Sequence, residues 1–105
     1  MYKVIGTETY LNEIKNWEKT DSIAASKLPL QLSENPHAGK PLGYSFFREK
    51  KVGEKRVYYL VYDELSLVLL IATSGKKDQQ QTINHIKDRL GEFKRIAEEI
   101  IKQVS

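Results

Sequence analysis

The chain has 105 residues, 40% hydrophobic and 30% charged, with no cysteine and a formal net charge of +3. That length predicts one domain over residues 1–105, and the missing cysteines exclude disulfide frameworks, thiolate metal sites and thiol catalysis. His37 and His85 stand apart without metal-ligand spacing, the polar start "MYKVIGTETYLNEI" shows no signal peptide, and no apolar run nears the ~20 residues of a membrane helix.

A cytoplasmic protein with no cofactor and no membrane contact is therefore expected. The mild positive charge permits a polyanionic partner without requiring one.

"MYKVIG" predicts a short first strand, because Tyr2, Val4 and Ile5 favour β structure. Thr7 then caps a helix, although Tyr10 stands where Glu or Gln would complete a capping box. Tyr10, Leu11, Ile14 and Trp17 recur at helical spacing and form one apolar face. A second helix runs through "DSIAASKLPLQLSENP", capped by Asp21 or Ser22, and is expected to kink or end at Pro29. "NPHAGKPLG" holds two prolines and two glycines and predicts a loop.

Strands are expected over 44–50, 55–63 and 65–74, with a tight turn at Gly53 and another at 63–64. The last two are nearly continuous apolar runs, the mark of strands covered on both faces. The helices account for one face, and something else must fill the other.

The final pattern, 79–104, carries Ile83, Ile86, Leu90, Phe93, Ala97, Ile100 and Val104 in a heptad-like stripe. Unbroken, such a helix is about 39 Å long. Either part of the stripe overhangs the small sheet and needs a partner, or the helix breaks at Gly91. The order β-α-α-β-β-β-α defines an α+β protein: a strand and helical hairpin packed on a small curved antiparallel sheet, with a long C-terminal helix.

Two cationic clusters flank the predicted sheet. Arg48, Lys50, Lys51, Lys55 and Arg56 surround the first hairpin turn, and Lys76 and Lys77 follow the last strand. An antiparallel meander sets Arg56 beside 74–77, and Arg48 on the neighbouring strand can face the same side. Such a groove has the right sign for phosphate, with Arg offering a planar fork and Lys a mobile point charge. The alternative is a solvated rim of charge. Arg56 opens an apolar strand, where an unpartnered charge is costly, and so stands out. Tyr58, Tyr59 and Tyr62 read as core and cross-strand packing, with one hydroxyl free to reach a groove. His85, early in the last helix, is either exposed or a proton donor or acceptor.

In order and spacing, "NP" (35–36), "GKPLG" (39–43), "FR" (47–48), "VG" (52–53), "KRVYYLVYD" (55–63) and "VLLIATSGKKD" (68–78) resemble the RelE/ParE superfamily of small toxins. The paired lysines before a helix are closest to its HigB-like branch. The resemblance spans nearly the whole chain. It implies the toxin of a type II toxin–antitoxin system, partnered by a cognate antitoxin. RelE-like members are metal-free endoribonucleases that cut mRNA on the ribosome: a 2′-hydroxyl attacks the adjacent phosphate and leaves a cyclic phosphate. ParE-like members bind DNA gyrase instead, and a degenerate member would only bind.

Carried over by position, Arg56 stabilises phosphate charge, Lys77 stands where RelE has arginine, and Arg48 and Lys76 bind phosphate. The chain departs from RelE at Tyr44, Ser45, Phe46 and Phe47, where strand lysines are expected, so the base is either missing or displaced to Lys50 or Lys51. It departs again at Ile83 and Asn84, where RelE has a tyrosine; either His85 substitutes or the activity is weak or absent. The long C-terminal helix is the expected dock for the antitoxin or for a second subunit in a homodimer.

Overall fold

A computed structural model describes residues 1–104, with only the backbone described at Val104. β1 (Lys3–Gly6) leads into α1 (Glu8–Ile14), α2 (Lys19–Ser26) and α3 (Leu28–Glu34). There follow β2 (Lys40–Tyr44), β3 (Phe47–Val52), β4 (Lys55–Tyr62), a 3-10 turn (Asp63–Leu65), β5 (Leu67–Ser74), α4 (Gln79–Lys87) and α5 (Leu90–Val104). The strands form one five-stranded sheet in the order β1-β5-β4-β3-β2. β1 runs parallel to β5 and the other pairs are antiparallel. The sheet is therefore mixed, and β1 and β2 occupy opposite edges.

Both faces of the sheet are covered, as the apolar runs require. Alternation along β4 sends Tyr58, Leu60 and Tyr62 to one core, shared with Leu67, Leu69, Ile83, Ile86 and Ala97 of β5, α4 and α5. It sends Val57, Tyr59 and Val61 to the other, shared with Tyr10, Leu28 and Leu32 of the first three helices. The C-terminal helices are thus what fills the second face.

Three local features differ from the sequence expectations. The second predicted helix is two helices: α2 stops at Ser26, and Pro29 lies in the first turn of α3. Proline is tolerated there because that turn's N–H groups have no intrahelical acceptor.

The predicted loop at 35–43 contains β2, which pairs with β3 through Lys40–Glu49, Pro41–Arg48 and Tyr44–Phe47. As the sheet's edge strand, β2 tolerates Pro41. The last pattern does break, but at Asp88–Arg89, with Gly91 already inside α5. The bend turns Leu90, Phe93 and Ile100 onto the first core. The apolar stripe through Ile100 therefore packs on the chain itself. Val104's side chain lies outside the described residues.

Two tight features fix the register around the site. Val52 pairs with Lys55, so Gly53 and Glu54 form a two-residue hairpin loop. Gly53 has φ +60 and Glu54 is not positive, the pattern of a II′ turn.

On β5, Tyr58 pairs with Ala72 but Tyr59 with Leu70, leaving Ile71 as a bulge. Thr7 holds the bulge from α1: its Oγ1 donates to the Ile71 carbonyl at 2.8 Å and accepts from the Tyr10 N–H at 3.2 Å. Its own N–H reaches the Leu70 carbonyl at 2.9 Å. Glu13 Oε1 accepts the Thr73 N–H at 2.8 Å. Among the described residues, no helix is long and apolar enough to cross a membrane.

Candidate functional site

The hairpin register decides which charges meet. Glu49 pairs with Tyr58, and Lys51 pairs with Arg56, so these four side chains share a face. Arg56 is also paired with Ser74 on β5. The bulge at Ile71 matters here. By adding one residue, it returns Ser74 to the face of Arg56 and Tyr58, a common use of bulges beside functional sites. The Ser74 and Tyr58 hydroxyl oxygens are 2.8 Å apart, and Ser74 donates to the Gly75 carbonyl at 2.9 Å.

At the centre stands an ion pair, with Arg56 Nε 3.9 Å from Glu49 Oε1 and the side chains 15% and 10% exposed. A carboxylate this buried needs partners. Glu49 Oε1 has a second one, the Gln79 Nε2 donor at 2.7 Å, from the first residue of α4. The tail helix thereby positions the carboxylate. Burial pushes the Tyr58 hydroxyl above its ordinary range, and the nearby Glu49 charge adds to the shift while the Ser74 hydrogen bond opposes it. Tyr58 stays protonated and neutral beside the ion pair. Lys76 and Lys77 follow Gly75 on an exposed turn ahead of α4, so two mobile cations border the Arg56–Ser74 end of the sheet.

Arg48 goes elsewhere. It pairs with Tyr59, on the opposite face from Arg56, which corrects the expectation that the two arginines line one groove. Its Nε donates to the Gly39 carbonyl at 2.9 Å and its Nη1 to the Ser45 carbonyl at 2.7 Å. The Tyr59 hydroxyl accepts the Gly39 N–H at 2.9 Å. Gly39 is required at that point, because a Cβ would lie 2.5 Å from the Glu49 carbonyl oxygen and 2.8 Å from the Tyr59 hydroxyl. Arg48 is a clamp on the backbone that carries β2.

Lys50 shares the face of Arg48, whereas Lys51 shares that of Arg56 and is exposed. His85 is exposed on α4 and lines a separate cavity of about 250 Å³ with Thr7, Glu8, Ile71, Ala72 and Phe93. None of Arg56, Glu49, Lys76 or Lys77 lines it, so the structure does not join His85 to the cationic corner.

The site residues absent from the sequence reading are Glu49, Ser74 and Gln79. Glu49 was within reach of it: a two-residue turn at Gly53 and Glu54 fixes 52 opposite 55, hence 49 opposite 58. Gln79 and the bulge carried no comparable signal. Among the described residues, no group of three or more His, Asp or Glu side chains is arranged to hold a metal ion.

The architecture is the RelE fold. A double arginine-to-alanine mutant of E. coli RelE in the free state superposes with a TM-score of 0.70 at 24% identity, covering 84% of this chain and 96% of that one. A chain of the intact E. coli RelBE toxin–antitoxin complex gives 0.62 at 24% identity, covering 71% and 96%. The archaeal RelE–RelB complex from Pyrococcus horikoshii gives 0.63 at 14% identity, covering 71% and 94%. No family model matches the sequence, and no curated protein does.

Proposed function

We propose that this chain is the toxin of a type II toxin–antitoxin pair, acting in the cytoplasm as an endoribonuclease on ribosome-bound mRNA and silenced by a cognate antitoxin. The observation that carries the reading is the Glu49–Arg56 pair, held on one face of a RelE-fold sheet beside the Lys76–Lys77 corner.

Cleavage by an internal 2′-hydroxyl needs a base for that hydroxyl, positive charge for the phosphorane-like transition state, and a proton for the leaving oxygen. Glu49 is the base, in place of the lysines expected at 50 or 51. It is a carboxylate already oriented by the Gln79 donor and held near the Arg56 charge. Arg56 meets the phosphoryl oxygens with its planar fork. As the 2′-oxygen bonds to phosphorus, its proton passes to Glu49. The P–O5′ bond breaks, and the leaving oxygen takes a proton from Lys77. Every group in the scheme belongs to the protein.

Primer extension on a reporter mRNA in a translating extract tests this, using the wild type beside Arg56→Ala and Lys77→Ala. Expected are cuts that require translating ribosomes and fade in both variants. Lys77 is exposed, so its substitution leaves the fold intact and keeps the test decisive. Intact mRNA from folded wild type would overturn the ribonuclease reading, and a gyrase supercoiling assay would then examine the ParE-like alternative.

A further inference from the structure

The turn that opens β3 carries an unusual surface. Tyr44 and Phe46 are 45% and 36% exposed, and among the described residues they are the exposed large hydrophobics that are aromatic. Their ring centroids lie 4.9 Å apart at an interplanar angle of 31°. Two exposed rings on one turn make a large apolar surface that the chain leaves in water.

The turn is also braced. Arg48 Nη1 donates to the Ser45 carbonyl at 2.7 Å, and the Phe46 carbonyl accepts the Val61 N–H at 2.8 Å. A platform fixed in advance loses little freedom when something lands on it.

A cation lies against the strand that leads into the turn. The Lys87 Nζ lies 3.2 Å from where a Cβ on Gly43 would stand. Gly43, the residue before Tyr44, has φ +90 and, without a Cβ, leaves room for the ammonium. No ion pair engages Lys87 among the described residues. Phe46 also rims a cleft of about 440 Å³ with Tyr62, Asp63, Glu64, Leu90 and Lys94. Tyr62 and Leu90 belong to the core on the face of Glu49 and Arg56, so the cleft that Phe46 rims reaches that side. Phe46 stands just before β3, three residues ahead of Glu49, a span of about 10 Å at ~3.3 Å per residue.

We infer that the Tyr44–Phe46 turn, with Lys87 beside it, is a stacking subsite for an unpaired base of single-stranded RNA. Aromatic faces next to cations are how proteins hold single strands without reading sequence. Asp63 and Glu64 line the cleft and repel a phosphate there. The backbone therefore follows the Lys87 side, with the base over the rings. The inference rests on the ribonuclease reading for its ligand and names a second contact on the same strand as the reacting groups.

The test is fluorescence anisotropy with a labelled 2′-O-methyl RNA oligonucleotide, which lacks the attacking hydroxyl. Tyr44→Ala/Phe46→Ala should bind about tenfold more weakly than wild type, and Tyr44→Trp should retain or tighten binding. An oligonucleotide with one abasic position should lose affinity for wild type but not further for the double variant. Thermal melts of each variant confirm folding.

Equal affinity of wild type and a folded double variant would overturn the inference, as would no binding by wild type. Unchanged RNA affinity with loss of antitoxin binding would assign the turn to a protein partner, and overturn it too. The two readings fail separately. Ring-dependent binding without ribosomal cleavage would sink only the ribonuclease. Arg56-dependent cleavage with ring-independent binding would sink only the subsite.

Discussion

Arg48 and Arg56 lie on neighbouring strands of one hairpin and end in different roles. Arg56 faces a carboxylate beside an exposed cationic turn, and its guanidinium is 3.9 Å from an acid that α4 also holds. Arg48 faces backbone and spends two donors on the Gly39 and Ser45 carbonyls. Position in the sequence does not separate them. Strand parity does: Arg56 is paired with Lys51 and Arg48 with Tyr59, which puts them on opposite faces. An arginine satisfied by carbonyls is part of the frame. One balanced against a carboxylate can exchange that partner for a phosphate.

The sharpest way to break this contrast is to remove the acid. Glu49→Gln keeps the shape and the Gln79 contact but cannot take a proton. Cleavage on ribosomes should fall about 10²- to 10⁴-fold, the usual range for a general base. Cleavage within about threefold of wild type would return Glu49 to a purely structural role. Arg48→Ala should do the reverse. Two carbonyls lose their donors, at a cost of about 1–3 kcal/mol in urea unfolding, while cleavage by the folded protein stays near wild type. If Arg48→Ala abolished cleavage without lowering stability, the two arginines would have to be reassigned.

This division explains what was legible in the sequence. The apolar runs at 57–62 and 67–71 announced strands covered on both faces, and the layers are as those runs require. β2 was hidden because Pro41 and Gly43 speak for a loop, and only an edge position reconciles them with pairing.

Placing Arg56 beside Ser74 needed only the meander. Placing Arg48 needed the hairpin register, which Gly53 supplied in principle. The bulge at Ile71 had no sequence mark, since its cause is remote: Thr7, at the start of α1, satisfies the extra carbonyl. The break at Asp88–Arg89 is similar, because the glycine that weakens a helix pattern is not where this chain bends.

The frame side also has a pH signature. Burial pushes the Tyr10 and Tyr59 hydroxyls above their ordinary 10.0, because the ionised form is disfavoured away from water. The folded chain therefore prefers neutral tyrosine more than the unfolded chain does. That contribution is complete below pH 10 and is lost as the pH rises through and above it. Tyr59→Phe should flatten this alkaline loss. At neutral pH the same substitution should destabilise the chain by about 1–3 kcal/mol, because the buried Gly39 N–H loses its acceptor. Urea midpoints at pH 7 and pH 10.5 measure both effects, and an unchanged midpoint at pH 7 would deny Tyr59 its place in the clamp.

The smallest expected effect has the opposite sign. Tyr62 lies on the same strand as Tyr59 but on the other face, and its hydroxyl is buried without a hydrogen-bond partner among the described residues. Burial pushes its pKa up, with the Glu64 and Glu98 charges adding to the shift. A buried hydroxyl that has left water for no partner contributes a cost, and deleting it removes that cost while keeping the ring. Tyr62→Phe should therefore be neutral or stabilising by up to about 1 kcal/mol, against a clear loss for Tyr59→Phe. Both variants delete one oxygen from a buried ring on β4, so the pair isolates the partner from the packing. A Tyr62→Phe loss as large as that of Tyr59→Phe would show that the Tyr62 hydroxyl has a partner after all, and the two faces would then differ less than their hydrogen bonds indicate.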